Sequence, residues 1–194
     1  NERVAAKYIL ARSAGFCFGV ERSIRMAEEA LASGACRCLG ELIHNRDAVT
    51  ALEKKGLSVI EKVSELPEGE RVIIRAHGVF RAVYTELKNR RAGVIDATCP
   101  LVKRLHHAAE KADDVLILLG HRGHPEVEGT VGRSGAGRTF TAGSREELAG
   151  LPDFPAGTRI VLLAQTTLNT EEVRAMETLL RGRYPHLESA AAVC

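Results

Sequence analysis

The sequence predicts an α/β protein of repeated three-layer units with mostly parallel sheets, and three observations carry that prediction. Short apolar runs alternate with amphipathic segments of helical period, as in strand–helix–strand units. Residues capable of chemistry follow the apolar runs, and in parallel sheets ligands gather at the carboxyl ends of strands. Three cysteines, Cys17, Cys99 and Cys194, recur at similar intervals behind apolar runs. The pattern reads as one unit used twice, with a third due to begin where the sequence stops.

The elements follow in order. Tyr8-Ile9-Leu10 is a short strand, and the loop Gly15-Phe16-Cys17-Phe18-Gly19 leads into a helix marked by Val20, Ile24, Ala27 and Leu31, stopped at Ser33-Gly34. Arg37 to Leu39 forms a brief strand before His44. Asn45 caps a helix whose apolar face is Ala48, Ala51 and Leu52 and whose end is Gly56. Strands over 58–60 and 71–76 bracket the turn Leu66-Pro67-Glu68-Gly69, and the second runs into His77. A helix over 82–89 precedes Gly93-Val94-Ile95-Asp96, after which Cys99 sits at a strand-to-helix turn. Unpaired N–H groups and the positive helix end favour a thiolate there.

The second half repeats the theme. Leu101, Leu105, Ala108 and Ala112 mark a helix, and Val115 to Leu119 is the most convincing buried strand. It opens into a loop with His124 and Glu126. A strand over 139–141 precedes Ser144 and Glu147, which form a capping box. Ile160 to Ala164 is a strand ending at Gln165 and Thr166, and Asn169 caps a last helix carrying Val173, Met176 and Leu180.

Composition narrows the function. Hydrophobic residues are 45%, charged residues 27% and the net charge +2, so no general nucleic-acid surface is indicated. Aromatics are 4% and Trp is absent, which argues against base stacking. No apolar run approaches the roughly 20 residues of a membrane span. Five cysteines, an odd number without the spacing of a disulfide framework, point to a reducing cytoplasm and to metal or catalytic use. The Cys36-Arg37-Cys38 pair is read as structural, because strand alternation is expected to send its thiols to opposite faces.

Taken together, six strand ends deliver Cys17, His44, His77, Cys99, His124 with Glu126, and Thr166 with Gln165. Three thiolates without a fourth suit a cluster or metal with one open position; zinc with a bound water is the rival. Three histidines suit a multiply charged anion such as a diphosphate. Glu126 can donate a proton, and Thr166 can hydrogen-bond a substrate hydroxyl.

Six motifs then carry a resemblance: Gly15-Phe16-Cys17-Phe18-Gly19-Val20, Ile43-His44-Asn45, Ala76-His77-Gly78-Val79, Asp96-Ala97-Thr98-Cys99-Pro100-Leu101-Val102, Gly120-His121-Arg122-Gly123-His124-Pro125-Glu126-Val127-Glu128-Gly129 and Gln165-Thr166-Thr167-Leu168. In this order they closely resemble the 4-hydroxy-3-methylbut-2-enyl diphosphate reductase family. The resemblance implies a trefoil of three α/β domains, with residues 1–98 as the first, 99–193 as the second and Cys194 opening an absent third. It implies a [4Fe–4S] cluster held by Cys17, Cys99 and Cys194. At the open iron, the allylic diphosphate would undergo reductive dehydroxylation to isopentenyl and dimethylallyl diphosphates, the last step of non-mevalonate isoprenoid biosynthesis. His44, His77 and His124 would hold the diphosphate, Glu126 would supply the proton, and Thr166 with Gln165 would position the hydroxyl. Electrons would come from reduced ferredoxin or flavodoxin.

The resemblance is incomplete. A Ser/Asn motif and a further Ser expected in the third domain have no counterpart, so the chain is expected to be a fragment in which nothing fixes Cys194. Arg75 and Asn169 stand where serine is usual. A zinc- or thiol-dependent hydrolase of a phosphorylated substrate, or an inactive partial domain of the same fold, are the alternatives.

Overall fold

The computed structural model describes residues 15–191, 193 and 194. The strand expected at Tyr8-Ile9-Leu10 lies outside the described residues. From Gly15, helix and strand alternate: α1 (Phe18–Ala32), β1 (Cys36–Leu39), α2 (Arg46–Glu53), β2 (Leu57–Ile60), a 3₁₀ turn (Val63–Glu65), β3 (Arg71–Ile74), α3 (Arg81–Asn89) and β4 (Gly93–Asp96). The chain continues with α4 (Pro100–Glu110), β5 (Val115–Leu119), α5 (Pro125–Val131), β6 (Arg138–Ala142), α6 (Arg145–Ala149), β7 (Ile160–Ala164), α7 (Thr170–Arg183) and β8 (Glu188–Ser189).

The strands form two parallel four-stranded sheets, β2-β1-β3-β4 and β6-β5-β7-β8. The second order is the first advanced by four strands, so the repeat expected from the cysteine spacing is present in the topology. Helices cover both faces of each sheet, as the near-continuous apolar strands require. In the first sheet Cys36, Cys38 and Ile73 pack with Ala27 and Ala30 of α1 and Val49 and Leu52 of α2. Its other face sets Leu39, Val72 and Ile74 against Leu87 of α3. In the second, Ile117 and Leu162 meet Leu148 of α6 and Val173, Met176 and Leu180 of α7. Leu116, Leu118 and Leu163 meet Leu105 and Ala109 of α4 and Val127 of α5.

Three details correct the sequence reading. Cys36 and Cys38 point to the same side, in one cluster, because residues two apart on a strand share a face; their structural role in packing stands, and the reason given for it does not. The buried face of α2 is Val49 with Leu52, and Ala51 is exposed. The buried face of α4 is Val102, Leu105, His106 and Ala109, one residue later than Leu101 and Ala108 would place it. The caps follow expectation: Asn45 accepts from the Ala48 N–H, and Asn169 accepts from the N–H groups of Glu171 and Glu172. No described helix is long and apolar enough to cross a membrane.

Candidate functional site

The loops after β1, β3, β5 and β7, the two central strands of each sheet, meet. His44 follows β1 on a loop anchored by Leu42 and Ile43, which are 0% and 2% exposed. His77 follows β3, and the Ala76 N–H beside it donates to the Leu42 carbonyl at 3.0 Å, tying the two loops together. His124 is the N-cap of α5. The imidazole centroids lie 4.1 Å apart for His44–His77, 5.2 Å for His44–His124 and 5.6 Å for His77–His124. The sheets thus bring together histidines separated by as much as 80 positions in the sequence.

His77 and His124 are pushed towards their neutral forms. Burial drives the His77 pKa down to about 3, aided by the charges of His44, His124 and Arg75. His124 is lowered by the same kind of burial, with His44, His121 and Arg75 adding to it. Its Nδ1 accepts from the Glu126 N–H at 3.2 Å, which places the proton of the neutral ring on Nε2. The Nδ1 atom of His77 is buried with no protein partner.

Glu126 is 1% exposed. Its Oε1 accepts from the Thr166 N–H at 2.6 Å and its Oε2 from the Thr166 hydroxyl at 2.8 Å. Burial raises its pKa against the lowering effect of these two bonds. Gln165 differs from its expected use. Its side-chain oxygen accepts from the His121 N–H at 3.1 Å and its amide donates to the Thr167 hydroxyl at 2.8 Å. With 3% exposure, it braces the loop after β5 against the loop after β7.

The three thiols lie near one another. Cys17 and Cys99 are the N-caps of α1 and α4, and neither side chain makes a capping bond. The loops that carry them are joined: the Ser23 hydroxyl of α1 donates to the Ala97 carbonyl at 2.8 Å, and Arg22 donates to the Thr98 carbonyl at 3.3 Å. Gly19 separates the two thiols, since a Cβ there would lie 2.6 Å from Cys99 Sγ and 3.9 Å from Cys17 Sγ. Cys194 is fixed from within this chain, contrary to expectation: its N–H donates to the Thr166 carbonyl at 2.7 Å. The Cys99 N–H donates likewise to Ala76 at 2.9 Å. The Cys194 thiol pKa is raised first by burial and then by the Cys99 and Cys17 charges, so the three sulfurs share one neighbourhood. Among the described residues no three His, Cys, Asp or Glu side chains gather closely enough to hold a single metal ion.

His106 escaped the sequence reading. It is 4% exposed, fills the space a Gly78 side chain would need, and has an unpartnered Nε2. Its pKa is lowered to about 4, mainly by burial and then by Arg133. The 102/105/106/109 stripe, three and four residues apart, was the signal that could have found it.

Known proteins resemble this chain in sequence and fold. The family profile described as LytB protein matches residues 8–194. The 4-hydroxy-3-methylbut-2-enyl diphosphate reductase of Zymomonas mobilis is 39% identical over 183 residues, covering 92% of this chain and 53% of that protein. That of Gluconobacter oxydans is 37% identical over 192 residues, covering 94% and 56%. The solved E-1-hydroxy-2-methyl-but-2-enyl-4-diphosphate reductase of Plasmodium falciparum superposes with a TM-score of 0.87 at 28% identity, over 94% of this chain and 59% of that one. The chain therefore spans little more than half the length of these curated relatives. With a profile match over nearly its whole length and a fold shared with a solved member, the chain belongs to the LytB family of 4-hydroxy-3-methylbut-2-enyl diphosphate reductases.

Proposed function

We propose that this chain serves the reductive dehydroxylation of (E)-4-hydroxy-3-methylbut-2-enyl diphosphate to isopentenyl and dimethylallyl diphosphates, with Cys17, Cys99 and Cys194 holding a [4Fe–4S] cluster. One observation carries the reading: a string of hydrogen bonds that runs from the Cys194 backbone through Thr166 and Glu126 to the His124 imidazole. Cys194 donates to the Thr166 carbonyl, Thr166 donates twice to Glu126, and the Glu126 N–H meets His124, which packs on His44 and His77. A metal group, an acid and an anion cradle are thereby adjacent.

The thiols suit the cluster. Three neighbouring thiols without a fourth suit a cluster with one open iron, and glycine at position 19 leaves the space beside two of them clear. When bound, the cluster supplies electrons and an iron open to substrate; reduced ferredoxin or flavodoxin is the donor we assign.

The chain's own residues do the rest. His44, His77 and His124 offer imidazole N–H donors to the diphosphate. Glu126, its pKa raised by burial, retains a proton closer to neutrality than an exposed carboxyl and delivers it to the departing hydroxyl. Thr166, bonded to Glu126 through both its N–H and its hydroxyl, positions acid and substrate together. Gln165 acts by fixing the loops. The reducing cytoplasm suits the exposed Cys17 and Cys194 thiols.

Anaerobic reconstitution with iron and sulfide, followed by turnover with a chemical reductant, tests this. The expected result is brown protein with about four irons per chain and an E126Q variant with the same spectrum and no turnover. A colourless protein with stoichiometric zinc, activity that survives air without an electron donor, or near-normal turnover by E126Q would each overturn it.

A further inference from the structure

Arg75 follows β3 directly and precedes His77 by two residues, yet it does not join the imidazoles. Its Nε donates to the Gly78 carbonyl at 3.4 Å. Its Nη1 occupies the space beside Gly40, where a Cβ would come within 2.5 Å of it and within 3.2 Å of Arg75 Cδ. Gly40, at φ +72°, opens the loop that ends at His44, and Gly78 follows His77. The guanidinium is therefore lodged between the roots of the two loops that present His44 and His77. The Gly40 contact needs a residue without a side chain, and the Gly78 contact is to its backbone carbonyl.

The group is also electrically unspent. Among the described residues no carboxylate lies within ion-pair distance of Arg75, although Glu61 is near enough for its charge to be felt. Burial of the guanidinium without a partner is costly and calls for a compensating function. Of the imidazoles beside it, His77 and His124 have pKa values lowered by burial and by neighbouring positive charge, Arg75 included. Neutral N–H donors orient an anion but provide little net charge to attract one, and a diphosphate carries several negative charges. A fixed cation behind neutral donors provides the missing potential without competing for their geometry.

We propose that Arg75 is an electrostatic positioning residue of the His44–His77–His124 site: lodged between Gly40 and Gly78, it supplies the permanent positive potential that draws a diphosphate onto the three imidazoles. It acts through its charge from behind the loops and does not touch the bound anion. This rests on the diphosphate reading of the histidine cluster.

The test uses the full chain, R75M and R75K, with inorganic pyrophosphate as the probe, measured by calorimetry at low and moderate salt. His77 is followed by NMR titration of its ring protons. Removing the charge in R75M should weaken binding by about tenfold at low salt, and R75K should recover most of the loss. The His77 pKa should rise in R75M, because a positive neighbour is gone. Unchanged affinity in R75M would overturn the role of the charge, and equal loss in R75M and R75K would show instead that the fork braces the loops. Failure of the parent chain to bind pyrophosphate would overturn the diphosphate reading itself. An unmoved His77 pKa in R75M would overturn the electrostatic role of Arg75 whatever the anion. Should R75M not fold, R75Q takes its place with the same expected outcomes.

Discussion

Replacing Gly19 with alanine separates the fold from the thiol site. Gly19 lies buried in the first turn of α1, and the added Cβ would stand 2.6 Å from Cys99 Sγ and 3.4 Å from Cys99 Cβ. An ordinary carbon–sulfur contact is about 1 Å longer than the first of these. The relief available is rotation of the Cys99 side chain, which has a single torsion and no capping bond to lose. Overpacking costs on the order of 1–3 kcal/mol, and alanine recovers roughly 0.5–1 kcal/mol of helix propensity over glycine. The net effect on folding is therefore within about 2 kcal/mol. The site is less forgiving, because a displacement of about 1 Å exceeds the roughly 0.5 Å tolerance of a functional constellation. G19A should melt within several degrees of the parent and take up less than half its iron and sulfide on anaerobic reconstitution, with weaker visible absorption. Parent-like iron, sulfide and spectrum in G19A would refute the placement of Cys17 and Cys99 around a shared group.

Two further outcomes test the interior. His106 has a folded pKa of about 4 against an ordinary value of 6.5, so the unfolded chain binds the extra proton between those values. The stability due to its neutral burial is complete above pH 6.5 and lost as the pH falls towards 4, a swing of about 3 kcal/mol. Urea unfolding at pH 4.5 and 7 should show H106N losing less stability on acidification than the parent; equal losses would contradict this. Cys38, 0% exposed with its thiol pushed up to about 12, is packing and nothing more. C38A should load iron as the parent does and lose about 1–2 kcal/mol of stability, and a drop in iron content would reopen its role.

Much of this was legible along the chain, for identifiable reasons. Strands such as Val115 to Leu119 are short, wholly apolar and bounded by glycine or a polar cap, so their places and their parallel pairing followed. Because active residues of such sheets gather at strand ends, His44, His77 and His124 could be named before any of them was seen to meet. What could not be read depends on three dimensions. The buried stripe of α4 slides by one residue once the helix seats on the sheet, which brings in His106. Gln165 and Arg75 are polar residues whose partners, the His121 N–H and the Gly78 carbonyl, sit on loops fixed by tertiary packing. The Cys36–Cys38 error was one of parity and was avoidable.

The backbone bonds that fix Cys99 and Cys194 have a bearing on how the protein could be divided. Each cysteine follows the last strand of a sheet, and its N–H is bonded to a residue just beyond the neighbouring strand, Ala76 in one case and Thr166 in the other. Cys99 thus takes its position from the sheet behind it, while α4, which it caps, packs on the sheet ahead. The units overlap like roof tiles, each seating the fixing point of the next. A split placed immediately before Cys99 would leave both pieces with their cores and take the thiol from the Ala76 carbonyl that locates it. One placed a helix later would keep that bond and break the α4 packing instead, so separating the two sheets cleanly requires sacrificing either the thiol's seat or the second core.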